Sequence, residues 1–368
     1  MIIGVDGNEA NVEKKVGVSV YTLELLRYFA KHANATAELA IFLRHPPLPH
    51  MPEQTMYFRY HVITGKVLWS QIFLPLYLKT KIKLDVYFAP AHYVPRFCPA
   101  PFVVTIHDLS YIYFPQEFLK KDLYKLTHWS KEAVEHAKHV IAVSKTTKKD
   151  ILKHYVVTES NVSVVYNGYQ KAKELTTKSS VLHTYSLVKQ KYILYVGTVQ
   201  PRKNIQTLLK AYAKWHTTHP DYKLVIVGKK GWLYEDIYAE ALALDVNDAI
   251  IFTGYESDEN LQTLYQHAFC FVLPSLYEGF GIPVLEAMAH GCPVIASHAS
   301  SLPEIGGEAC LYFDPKDAGD LIEKFDQLEG NTSLRQDLIK KGKKRLELFS
   351  WEDSAKQTLE ILQASAKS

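Results

Sequence analysis

The sequence has few of the residues that build a disulfide scaffold or a metal centre. Only four of its 368 residues are cysteine, Cys98, Cys270, Cys292 and Cys310, and their spacing fits no metal-ligand pattern. Scattered thiols of this kind read as small buried side chains in a reducing compartment. No two aspartates stand two apart, so there is no D-x-D metal triad. The glycines near the first apolar run are Gly4, Gly7 and Gly17, without G-x-G-x-x-G, which argues against a nicotinamide or flavin site. Repeats and low-complexity segments are missing. The most suggestive apolar run, Val67 to Leu78, is too short to span a bilayer and contains Pro75. Lys66, Lys79, Lys81 and Lys83 flank it, the pattern of a helix that lies on a membrane face or packs on its own domain, with packing favoured. No secretory signal is expected, because Met1 leads straight into the strand-like Ile2 to Val5.

What is present is a soluble globular composition with two faintly opposed halves. A chain of this length should form two domains. Residues 1–160 hold 20 lysines and arginines against 14 acids, and residues 161–368 hold 22 against 25, so +6 and −3 make the net +3. The basic first half is the one suited to an anionic membrane face or an acidic acceptor, and no nucleic-acid partner is expected. The expected location is cytoplasmic, with membrane association on the cytoplasmic face as an extension of that reading.

Strand and helix signals alternate along the chain. Ile2 to Asp6 reads as a first strand, followed by a long polar loop that ends at Gly17 before a helix stripe through Val20, Leu23 and Leu26. Phe102 to Ile106 should be a central strand that delivers His107 to its carboxyl end, where open α/β sheets bind ligands. A histidine there is placed to donate to a sugar hydroxyl or to cap the neighbouring turn. Val162 to Tyr166 closes the first sheet at the turn signal Asn167-Gly168, and the polar, aperiodic residues 169–190 read as a linker. Alternation restarts with Tyr192 to Val196, then GTVQPRKN and a helix whose buried face carries Ile205, Leu208, Leu209 and Tyr212. Arg202 and Lys203 thus fall at a strand's carboxyl edge just before a helix start, where they repel each other and oppose the helix dipole. An anionic ligand is the natural compensation.

The most informative stretch is Pro274 to Ser297, PSLYEGFGIPVLEAMAHGCPVIAS. A buried strand, Phe269 to Leu273, breaks at Pro274 into a loop with Glu278, Gly279 and Gly281. A helix follows with Pro283 at its first position and Gly291 and Pro293 as stops. Strand, glycine loop and helix start in that order make an anion site. Glu278 and Glu286, eight apart, would harm a bare phosphate pocket but suit a ligand that carries hydroxyls beside its phosphates, as a nucleotide sugar does. On spacing alone, Glu286 also reads as an ordinary first-turn acid and Glu278 as a solvated loop charge.

The run EGFGIPVLEAMAHGCPVIAS resembles the donor-binding signature of the family 4 retaining glycosyltransferases. GTVQPRKNIQTLLKAY and VVTIHDL match that family's context as well. The resemblance implies an α/β protein of the GT-B fold: two Rossmann-like βαβ domains facing a central cleft, with a C-terminal helix crossing back to the first. The expected division is 1–168 plus the closing helix, about 351–368, for the acceptor domain, 169–190 for the linker, and 191–350 for the donor domain. By the resemblance His107, Arg202, Lys203 and Glu278 are catalytic: Glu278 and His107 hold the hexose, and Arg202 with Lys203 stabilises the leaving diphosphate. The implied donor contacts are Gly17, Gly197, Thr198, Lys229, Tyr255, Gly279, Phe280, Gly281, Ile282, Pro283, Val284, Leu285 and Glu286, the last on the ribose. No metal and no cofactor are expected, since cations and helix-start amides can neutralise a diphosphate.

The resulting expectation is a retaining hexosyltransferase that uses a nucleotide-diphosphate sugar and a glycan, glycolipid or small hydroxyl acceptor in polysaccharide biosynthesis. GDP-mannose comes first, because the GNEAN opening and the GKKGW loop look like members that use it, followed by UDP-glucose and UDP-N-acetylglucosamine. The alternatives are a sugar-nucleotide epimerase or sugar-phosphate synthase on the same fold, and a GT-B scaffold without activity. Loss of Arg202, Lys203 or either glutamate would have favoured the scaffold, and all four are present.

Overall fold

The computed structural model describes residues 1–65, 68–171 and 180–367. The chain divides into two compact units. One comprises Met1–Tyr113, Leu119–Gly168 and Phe349–Ser368, the other Phe114–Phe118 and Tyr169–Leu348.

The first unit is built on a seven-stranded sheet of β1 (Ile2–Asp6), β2 (Glu38–Leu43), β3 (Phe58–Val62), β4 (Val86–Ala89), β5 (Phe102–Ile106), β6 (His139–Ala142) and β7 (Val162–Val164). Every pairing is parallel and the order is β3-β2-β1-β4-β5-β6-β7. Helices cover such a sheet on both faces, so its inner strands are apolar throughout: VYFA in β4 is buried at all four positions. The second unit repeats the plan with β8 (Tyr192–Val196), β9 (Lys223–Val227), β10 (Ile250–Gly254), β11 (Cys270–Leu273), β12 (Val294–Ser297) and β13 (Cys310–Phe313), in parallel order β10-β9-β8-β11-β12-β13. Strand order reverses between β1 and β4 in the first sheet and between β8 and β11 in the second. At such switch points the loops leaving adjacent strands part and open a crevice.

The closing helix, Trp351–Lys367, packs beside the Gly17–His32 helix and over β4 and β5 of the first unit. Its Ala355 and Leu362 are fully buried in the same core as Tyr21, Leu25 and Phe88. A buried leucine contributes roughly 2 kcal/mol, so a few such contacts suffice to hold the helix there. Gly168 is required at this junction, because a Cβ would come within 2.2 Å of the Trp351 backbone nitrogen.

Several expectations need revision. Of the stretch 169–190, residues 172–179 lie outside the described residues. Val181–Thr184 forms a helical turn whose Val181 is buried, packed near the Asp258–His267 helix. The end of the presumed linker is therefore part of the second unit. Phe114–Phe118 also groups with that unit although the chain on either side of it does not. In the Val67 to Leu78 run, Val67 and its neighbour Lys66 lie outside the described residues. The rest forms a π-helical turn, Trp69–Phe73, leading into the helix Leu74–Thr80. Trp69, Leu74 and Leu78 are buried, and the Trp69 indole donates to the Ile63 carbonyl at 2.6 Å. Leu68, Ile72 and Leu76, spaced by four, stay exposed together with Phe73. This segment packs on one face and leaves an apolar stripe on the other.

Candidate active site

The loops leaving β8 and β11 are bound to each other at the second unit's switch point. Pro201–Lys203 makes one tight turn, and Asn204 follows in the left-handed region at φ 54° before the Ile205–His216 helix. Asparagine is among the few residues that adopt this conformation at low cost. Its side-chain amide donates to the carbonyls of Pro274 and Pro315 at 3.0 and 2.8 Å. The Leu276 amide donates to the Arg202 carbonyl at 2.9 Å, and the Arg202 guanidinium to the Tyr277 carbonyl at 2.6 Å.

Glu278 sits in the middle of this lacing. Its Oε1 accepts from Lys203 Nζ at 2.5 Å and from the Ser275 hydroxyl at 2.6 Å. Burial alone would push its pKa up, but the charges of Lys203 and Arg202, with the hydrogen bonds from Lys203 and Ser275, hold it below the ordinary value. The carboxylate is therefore ionised. Its backbone is fixed as well: the Glu278 amide donates to Ser300 Oγ at 2.7 Å, and Ser301 Oγ donates to the Glu278 carbonyl at 2.8 Å and the Phe280 carbonyl at 3.0 Å.

Gly281 starts the helix Ile282–Ala289 at φ 102° and ψ 48°, a conformation that suits glycine, and a Cβ there would lie 2.7 Å from Leu302. Pro283 occupies the second helical position rather than the first. No side chain caps this helix start, and Val284 and Leu285 anchor it in the core. Gly279 and Phe280 are buried, and Ile282 and Pro283 are partly exposed. Glu286 lies one turn further along. Its Oε2 accepts from the Tyr265 hydroxyl at 3.3 Å, and desolvation pushes its pKa up to about 7. The two glutamates thus differ in kind, one held ionised by cations and the other half-protonated near neutrality.

Gly197 and Thr198 follow β8 beside the loop that leaves β9. A Cβ on Gly228 would come within 1.9 Å of the Gly197 carbonyl oxygen, so the two backbones touch there. Lys229 places its ammonium 5.3 Å from the ring centroid of Tyr255, which is 55% exposed and offers a flat aromatic surface.

His107 and Gly17 belong to the first unit. Gly17 opens the Gly17–His32 helix, and a Cβ there would meet nothing within 4 Å. His107 follows β5 as expected, with its ring edge-on to Tyr21 at 4.9 Å. Its Nε2 bonds the Pro90 carbonyl at 2.7 Å. Burial and the neighbouring His92 push its pKa down to about 4, so the ring is neutral at pH 7 and Nε2 carries the proton. The expected donation to a sugar hydroxyl does not fit this arrangement, in which Nε2–H is committed to Pro90 and Nδ1 can only accept.

The compensation argument for Arg202 and Lys203 also changes. Lys203 is matched by Glu278, and Arg202 acts on Glu117, a buried carboxyl on the Pro115–Glu117 turn. Burial pushes Glu117 up while the Arg202 amide and charge pull it down. Sequence reasoning missed Glu117, Asn204, Ser275, Ser300 and Ser301. The run Ser297 to Ser301 after a strand was the visible signal for part of this set, since small hydroxyls at a strand's end commonly bond to backbone.

Two parallel-sheet units of this topology, with the closing helix returned to the first, constitute the GT-B architecture. Solved structures agree on the fold: sucrose-phosphate synthase from Thermosynechococcus elongatus superposes over 100% of both chains with a TM-score of 0.79 at 22% identity. WaaG, a glycosyltransferase involved in lipopolysaccharide biosynthesis, does so over 98% of this chain and 99% of its own with a TM-score of 0.73 at 15% identity. The sequence profile of glycosyl transferases group 1 matches residues 185–345, and that of Glycosyltransferase Family 4 matches residues 16–172. O-antigen chain mannosyltransferase B of Escherichia coli is 34% identical over 74% of this chain and 73% of its own length. O-antigen chain mannosyltransferase RfbU of Salmonella typhimurium is 33% identical over 58% and 57%. The chain belongs to glycosyltransferase family 4 and is a glycosyltransferase. Among the described residues no helix is long and apolar enough to cross a membrane.

Proposed function

We propose that this protein is a retaining hexosyltransferase that moves mannose from GDP-mannose to a glycan or glycolipid acceptor in polysaccharide biosynthesis, without a metal ion. The observation that carries the reading is the Lys203–Glu278 contact at the second unit's switch point, with Arg202 beside it and an uncapped helix start next to it. The mannosyltransferase relatives support mannose as the sugar.

In the proposed reaction the bond from the sugar's anomeric carbon to the diphosphate oxygen breaks and a bond to the acceptor oxygen forms on the same face. The acceptor's proton goes to the leaving phosphate oxygen. Arg202, Lys203 and the dipole of the Ile282–Ala289 helix take up the charge that develops on the diphosphate. Glu278 holds hexose hydroxyls and Glu286 the ribose. Gly197, Thr198 and the segment Gly279 to Leu285 approach the phosphates, and Tyr255 with Lys229 receives the base. Gly17 and the neutral His107, both in the first unit, have donor roles by the family resemblance alone, the imidazole as an acceptor.

A peripheral membrane contact belongs to the same proposal. Leu68, Ile72, Phe73 and Leu76 stay exposed, with Lys79, Lys81 and Lys83 exposed beside them and no acid between residues 68 and 84. Aliphatic side chains with lysines at the rim suit an anionic lipid surface.

The test is transfer from GDP-mannose, UDP-glucose and UDP-N-acetylglucosamine to an alkyl mannoside in EDTA, with the product's anomeric configuration read by NMR. An α-mannoside from GDP-mannose is expected. A β-product would overturn retention, and a requirement for added metal would overturn the charge assignment.

A further inference from the structure

The helix Lys120–His136 buries only Ser130, Ala133 and Val134. None of its first ten residues is fully buried, and they carry Tyr124, His128 and Trp129. Tyr124 is 58% exposed and stacks on His128 at 4.2 Å. Trp129 meets Tyr93 edge to face at 5.7 Å, and Lys125 approaches the Trp129 ring at 6.0 Å while pairing with Asp122 at 3.5 Å. Large aromatics that stay partly or largely exposed on a helix face leave apolar surface in water, and ordered groups of them mark binding surfaces.

The topology gives this cluster a place. Tyr93 lies on the loop leaving β4 and Glu9 on the loop leaving β1, so the two flank the first sheet's switch point, where α/β sheets take ligands. Asp122 and Glu9 lie close enough to Tyr93 that, with its burial as the main cause, their charges help push its hydroxyl up to about 12. Aromatic faces, carboxylates and an ammonium therefore converge within one unit.

We propose that Tyr93 and Trp129, with Glu9 and Asp122, form a subsite for a neutral pyranose ring of the acceptor. The axial C–H bonds of a sugar lie against the electron-rich face of an aromatic ring, and carboxyl oxygens accept from its hydroxyls. A bare hydrophobic partner would leave Glu9 and Asp122 desolvated, whereas sugar hydroxyls can satisfy them. The inference rests on the reading of the protein as a hexosyltransferase.

The experiment measures binding of α-linked mannotriose, maltotriose and chitotriose by saturation-transfer NMR, in parallel with GDP and UDP binding by thermal shift. The proteins are the wild type, Trp129→Ala, Trp129→Phe and Tyr93→Ala. One trisaccharide should bind the wild type, about tenfold more weakly to each alanine variant, and within a few-fold of wild type to Trp129→Phe, with nucleotide binding unchanged throughout. Equal binding by wild type and both alanine variants overturns the proposal, as does failure of all three sugars to bind the wild type. If Trp129→Ala does not fold, Tyr93→Ala and Trp129→Phe decide. Loss of nucleotide binding in the wild type counts against the donor reading alone.

Discussion

The two switch points solve opposite problems with the same topology. Between β8 and β11 the loops carry formal charges, with Lys203 paired to Glu278 and Arg202 beside them, and serine hydroxyls hold the backbone in place. Around the first sheet's switch point the character is more aromatic: His107 stays uncharged against Pro90, and Tyr93 and Trp129 stand edge to face, with Glu9 and the Asp122–Lys125 pair close by. A site for a diphosphate must present charge already oriented, because reorienting it during the reaction would raise the barrier. A site for a neutral hydroxyl acceptor must offer flat surface and acceptors instead. Under the proposed function, the second unit meets the first demand and the first unit the second.

The predictions that follow break that contrast in order of expected size. Glu278→Ala, Lys203→Ala and Arg202→Ala should each lower kcat/KM by at least about 100-fold with the fold intact by circular dichroism, since each removes a preoriented charge at the reacting end. Comparable activity in any one would remove that residue from the site. Gly281→Ala should destabilise the second unit by about 1–2 kcal/mol, from the left-handed backbone and the contact with Leu302, as read by denaturant midpoint.

The glutamates should also separate by pH. Glu278 is held below its ordinary value, so its contribution to stability is present above that range and is lost on acidification through its lowered pKa. Glu286 has the opposite sign. Raised from 4.5 to about 7, it binds a proton in the folded state that the unfolded chain has released, so stability falls as pH rises across that window. Glu286→Gln should flatten the melting temperature between those values, and an unchanged slope would contradict the assignment. Cys98→Ser, at a position outside both sites, should change activity and stability least.

Much of the second unit's site was legible because its chemistry is local in sequence. Glu278, Gly281 and Glu286 share one strand-loop-helix unit, and Arg202 with Lys203 falls in the equivalent loop three repeats earlier, on the strand next to it in the sheet. The lacing around them was not legible: Asn204 bonds to Pro315 and Ser301 to Glu278 across long sequence separations that no local pattern records. Glu117 was hidden for the same reason, since its turn lies within the first unit's chain and groups with the second. His107 was placed correctly at the end of β5, but its hydrogen-bonding role depends on Pro90, which only the fold brings within reach. Trp129 on its helix and Tyr93 on the loop leaving β4 went unremarked because they lie 36 residues apart, and only the fold brings their rings together.

The central claim is a nucleotide-sugar site formed by Arg202, Lys203 and Glu278 that needs no metal. Its most direct test is thermal shift of the purified protein in EDTA against GDP, UDP, ADP and their sugar conjugates, repeated with Lys203→Ala. The account predicts that GDP-mannose raises Tm selectively by mass action and that the variant loses most of the shift. A protein whose Tm responds to none of these ligands, or responds equally with Lys203 removed, would contradict it.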